Sequence, residues 1–180
     1  MNVRSFGGTL LFGIAAGVGF PGFSLLTAPL LGAAGAFQAW VALGAIAYAA
    51  LLGIGWRERI VGAFTATAFV VPAALLAEGI VGLVAGAALA VAVARSYLLG
   101  TDRIARTVVI EAALAAFGFA FVRSLGGAGL FPIALAIWGW FLVQSLYFLI
   151  GGGLPQPARS GDVDAFDLAH ERANAIMETE

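Results

Sequence analysis

Long apolar runs, parted by arginines at every second gap, constrain this chain more than any other feature. Over residues 1–154 there are seven Arg and four acids (Glu58, Glu78, Asp102, Glu111), and the chain has no Lys at all. Runs of roughly 18 to 25 apolar residues match a hydrocarbon core of about 30 Å when wound as helices. A period-two alternation of apolar and polar residues is absent, which argues against a β-barrel. The sequence is 62% hydrophobic and 11% charged, where an ordinary soluble domain has about 25% charged residues. A water-soluble fold of this size could not hide so much apolar surface.

Six membrane helices are expected. They run from about Phe6 to Leu31, Ala36 to Gly55, Ile60 to Ala77, Ile80 to Leu99, Ile104 to Val122 and about Leu130 to Ile150. The first two meet at Gly32-Ala33-Ala34-Gly35, and the third and fourth at Glu78-Gly79, a link short enough to force an antiparallel hairpin. Met1-Asn2-Val3-Arg4 before an apolar run resembles a secretory leader. Pro29 directly after the small residues at Thr27-Ala28 argues instead for a retained first helix.

Arginine sets the orientation, because short cytoplasmic loops collect positive charge while acids contribute little. With a cytoplasmic N-terminus, Arg4, Arg57, Arg59, Arg95, Arg103, Arg106 and Arg159 share that side and Arg123 alone lies opposite. The expected location is therefore a membrane of bacterial inner-membrane type, with both termini cytoplasmic. Trp40 and Trp56 suit the interfacial aromatic belts, whereas Trp138 and Trp140 fall near the middle of the last helix and read as buried packing.

Residues 155–180 differ in character, with six acids and two Arg. After the Gly/Pro-rich breaker around Gly151 to Pro157, a short amphipathic helix is expected over about 164–178. Asp164 would cap its free amide hydrogens, and Asp167 would add negative charge at the positive helix end. At about 100° per residue, Phe166, Ala169, Ala173, Ile176 and Met177 share one face. A helix this short is marginal alone in water, and its acidic face is repelled by anionic headgroups. A protein surface is the expected dock. The expected fold is thus an all-α integral membrane protein: a six-helix transmembrane bundle with a short cytoplasmic amphipathic C-terminal helix.

Few polar residues offer chemistry. Glu111 stands out, because a carboxylate inside a membrane helix is costly and marks either a functional site or a paired charge. Folding the hairpin about Asp102 brings Arg95 within about a turn of it, so the pair is read either as a structural pin between two helices or as an ion or proton site. Pro21 in Gly19-Phe20-Pro21-Gly22-Phe23 is the candidate helix break, since proline removes a helix hydrogen bond and Gly22 weakens the helix further. Tyr48, Thr65, Thr67, Gln144, Ser24 and Thr27 read singly as structural. Small residues recur at helical spacing at Gly13 and Gly17, at Gly82, Gly86, Ala90 and Ala94, and at Ala112, Ala116 and Ala120, which marks close helix contacts.

No catalytic, cofactor-binding or metal-ligating set is expected. Cys is absent, His170 is the single histidine, and no nucleophile, base and orienter trio lies in the apolar part. An acidic soluble tail disfavours nucleic acid. Two function classes remain. The first is a non-enzymatic subunit of a larger inner-membrane complex, surrounded by lipid, packed laterally on its own copies or other membrane subunits, and docking a partner through its tail. The alternative is a small-solute or ion transporter or channel using the Pro21 break and Glu111.

Overall fold

A computed structural model describes residues 3–76, 80–99, 104–124 and 129–150. These form five long apolar helices: α1 (Phe6–Leu51), α2 (Trp56–Leu76), α3 (Ile80–Leu98), α4 (Ile104–Ser124) and α5 (Leu130–Leu149). No strand occurs among the described residues. All five helices are long and apolar enough to cross a membrane. The tail from residue 151 onward, with the face formed by Phe166, Ala169, Ala173, Ile176 and Met177, lies outside the described residues.

Six separate helices were expected, and five are found, because the first two are joined. The expected four-residue turn shrinks to one residue, Gly32, whose φ of 72° and ψ of 166° are the non-helical dihedrals inside the 46 residues of α1. That backbone region is open essentially to glycine alone, which lacks the Cβ that would clash there. A single residue therefore redirects the chain. The halves on either side lie against each other along their length. The Phe20 and Phe37 rings sit 6.0 Å apart, Trp40 Nε1 donates to the Ala16 carbonyl at 3.1 Å, and Phe12 stacks edge-on against Tyr48 at 5.4 Å. Trp40, expected in an interfacial belt, thus turns inward, where its indole N–H finds the acceptor that a buried one needs.

Local chemistry fixes the helix ends at the side where α1 starts and finishes. Ser5 caps α1 by accepting from the Gly8 amide at 3.1 Å, which satisfies one of the free N–H groups of the first turn. The link between α1 and α2 is tied from three sides. Arg4 Nε donates to the Leu52 carbonyl, Arg59 Nε donates to Gly53 O at 3.3 Å, and Glu58 Oε2 accepts both the Ile54 amide at 2.8 Å and Arg4 Nη2 at 3.1 Å. Arg4 and Arg59, legible in the sequence as orientation signals, also staple this turn. Replacing Arg4 with alanine should speed hydrogen exchange of the Leu52 to Gly55 amides by about tenfold, the factor carried by one lost charge-assisted hydrogen bond; exchange mass spectrometry reads it directly.

Packing follows the small residues. A Cβ added at Gly17 would sit 2.8 Å from the Ala134 carbonyl of α5, and one at Gly13 would meet Phe141. On α2, a Cβ at Gly62 would strike the Ala49 carbonyl, and on α3 one at Gly86 would strike Ala73. These positions are glycine because the neighbouring helix occupies the space of a side chain, and the short separation maximises dispersion contact where no hydrophobic drive exists in lipid. The third ridge differs: Ala112, Ala116 and Ala120 of α4 all face outward. The outer surface is otherwise large and apolar, with Leu30 85%, Leu26 79% and Leu76 81% exposed. Such a belt is untenable in water and natural against acyl chains.

Candidate functional site

Arg95 organises the interior. It lies near the C-terminal end of α3, completely buried, and it reaches side chains on three other helices. Nη1 donates to Glu111 of α4, at 3.3 Å to Oε1 and 3.5 Å to Oε2, and to Gln144 Oε1 of α5 at 2.9 Å. Nη2 donates to the Tyr48 hydroxyl of α1 at 2.8 Å and to the Gln144 backbone carbonyl at 3.2 Å. Tyr48 in turn shares a hydrogen bond of 3.1 Å with Thr9 in the opposite half of α1, and Thr9 Oγ1 donates to the Val3 carbonyl at 2.9 Å. One guanidinium therefore links α3, α4, α5 and both halves of α1.

The helix register explains how these residues meet. Thr9 follows the start of α1, Tyr48 precedes its end, Arg95 and Gln144 lie in the last turns of α3 and α5, and Glu111 lies about two turns into α4. All five sit toward one end of the bundle, the same end that carries Arg4, Arg57, Arg59 and Arg106. Aromatic faces complete the enclosure, with the Arg95 Cζ 4.8 Å from the Tyr147 ring centroid and 5.3 Å from that of Tyr48. Arginine is suited to such a place, since its planar fork carries five donors and stacks on rings. Four of its donors are engaged here; Nε has no hydrogen-bond partner among the described residues.

The arrangement is chemically closed. Glu111 is only 7% exposed, and both of its carboxylate oxygens face Arg95 Nη1, so the charge of the carboxylate is already balanced by a buried cation. Such a pair is better at fixing geometry than at adding net stability, because desolvation of two charges offsets much of their attraction. Among the described residues no group of three or more His, Asp or Glu side chains is placed to hold a metal ion.

The other sequence-derived candidates lie elsewhere. Helix α1 runs on through Pro21 and Gly22 with helical dihedrals, and its departure comes at Gly32. Pro21 is about 18 Å along the helix from Thr9 at 1.5 Å per residue, toward the opposite end of the bundle from Arg95. The structure brings Glu111 and Arg95 together and keeps Pro21 and Gly22 apart from them. Several hydroxyls serve their own helices, as where Thr27 donates to Phe23 O at 2.8 Å and Thr67 to Ala63 O at 2.8 Å. The partners missed from sequence are Thr9, Tyr48 and Gln144.

Beside the cluster lies a cavity of about 90 Å³. Its walls come from α1, α3, α4 and α5, and Gln144 forms the boundary between it and Arg95. No protein-family model matches the chain, and no curated protein or solved structure matches it either.

Proposed function

We propose that this chain is a non-enzymatic, membrane-embedded subunit of a larger membrane protein complex, crossing the bilayer six times with both termini on the cytoplasmic side. The observation that carries the reading is the engagement of Glu111 by Arg95 at 3.3 Å, which commits the buried carboxylate to holding helices together. A transporter or channel built on Glu111 and a Pro21 break draws less support, since the carboxylate is paired and α1 is continuous through Pro21. Six crossings follow if the halves of α1 on either side of Gly32 each span the bilayer. The outward ridge of Ala112, Ala116 and Ala120 supports lateral association, because small residues let a neighbouring helix approach closely. The partner is another membrane protein subunit or a second copy, and the tail face at Phe166 and Ile176 supplies a cytoplasmic dock.

Native mass spectrometry from a mild detergent tests this: a defined assembly containing the chain is expected, and a stable monomer would overturn it. Orientation has its own check. Because the chain has no Cys, single substitutions report cleanly. Ser5→Cys should react with an impermeant maleimide only from the cytoplasmic side, and Ala33→Cys only from the opposite side.

A further inference from the structure

We infer that the cavity beside Gln144 is a binding site for a small, compact, uncharged molecule that is apolar apart from one hydrogen-bond acceptor, such as a cyclic ketone. The inference stands apart from the subunit role proposed above.

Three features carry it. The first is size and lining. At about 90 Å³ the space is smaller than an engineered cavity of about 150 Å³ that takes up benzene, which limits the occupant to a molecule no larger than benzene. Phe37, Trp40, Trp140 and Phe141 supply aromatic walls, the usual make-up of a ligand pocket.

The second is an oriented donor. Gln144 lines the cavity and is 2% exposed. Its Oε1 accepts from Arg95 Nη1 at 2.9 Å, and a cationic donor fixes which end of the amide faces it. The amide NH2 is thereby turned from the guanidinium, and as Gln144 lines the cavity it is the amide group available to donate there. A fixed donor in an apolar site favours a ligand that carries an acceptor, because one without it leaves the donor unpaired. Ions are disfavoured, since Arg95 is already balanced by Glu111 and the remaining walls carry no charge.

The third is vacant space at a backbone position. Gly44 of α1 lines the cavity, and a Cβ built there meets nothing within 4 Å. Gly13, Gly17 and Gly62, by contrast, are filled against neighbouring helices. Gly44 is therefore small where no helix needs it to be, and because it lines the cavity, a larger side chain there is the substitution expected to fill it.

The test uses the full-length protein in detergent, with cyclopentanone and cyclopentane as probes and ligand-observed NMR as the readout. Cyclopentanone should bind saturably, and cyclopentane about fivefold more weakly for want of an acceptor. Gly44→Leu should keep the melting temperature of the parent and weaken cyclopentanone binding at least tenfold; Gly44→Val takes its place if the leucine variant fails to fold. Equal affinity for both probes overturns the role of the Gln144 amide. Unsaturable signal, or full affinity in the filled variant, means that the probes dissolve in detergent or acyl chains, and it overturns the site.

Discussion

Arg95→Met is expected to destabilise the folded bundle by about 3–5 kcal/mol, the usual consequence of removing one member of a buried ion pair. The cost comes from the groups left behind. Glu111 would keep a buried carboxylate with neither of its oxygens engaged by a cation, and Tyr48 and Gln144 would lose the donors now at 2.8 Å and 2.9 Å. Methionine fills much of the stem volume, so packing loss adds little. Circular dichroism during titration with a denaturing detergent measures the change. A variant as stable as the parent would mean that the cluster holds nothing together. Glu111→Gln should destabilise as well: the amide oxygen still accepts from Nη1, but the completely buried Arg95 guanidinium loses the charge that balances it.

Gly62→Val is the second large effect, expected at about 3 kcal/mol, toward the upper end of overpacking penalties. The atoms a Cβ would meet are the carbonyl oxygen and carbon of Ala49. Backbone cannot rotate aside as a side chain can, so α2 must move away from α1 and give up its contacts. Gly44→Val is the matched control. It makes the same change of residue in a helix of the same bundle, where a Cβ meets nothing within 4 Å, and it should lose none of this stability. If the two variants unfold alike, the penalty belongs to valine in a helix and not to the α1–α2 crossing.

The contrast between these glycines shows what a sequence of this kind reveals and what it hides. Apolar run lengths locate every helix to within a few residues, because the thickness of the hydrocarbon core sets the length required. Gly32 falls inside the turn read from the sequence, yet nothing in the residues alone says that one glycine suffices to reverse the chain. Glu111 and Arg95 can be brought near each other on paper, since a short loop about Asp102 joins their helices and counting turns sets their level. Tyr48 and Gln144 cannot be added in this way. Their approach to Arg95 depends on which side of each helix faces inward, and that information is carried by amphipathic periodicity. In lipid the outward face is as apolar as the inward one, so the periodic signal fades. That the ridge at Ala112, Ala116 and Ala120 faces outward escapes sequence reading for the same reason, since small residues at helical spacing do not say which way they face. Arg4 and Arg59 illustrate a different limit: a charge can mark orientation and bond a loop at once, and only coordinates separate the two roles.

The central claim is that the Arg95–Glu111 pair is a structural lock between helices. A double-mutant cycle over Arg95→Met, Glu111→Gln and the two combined measures it most directly, by unfolding the full-length protein in mixed micelles. A lock predicts strong coupling: the double variant should be more stable than Arg95→Met alone, with an interaction energy of about 2 kcal/mol or more. Additive effects would contradict the account, for they would mean that the two side chains sit side by side without holding each other.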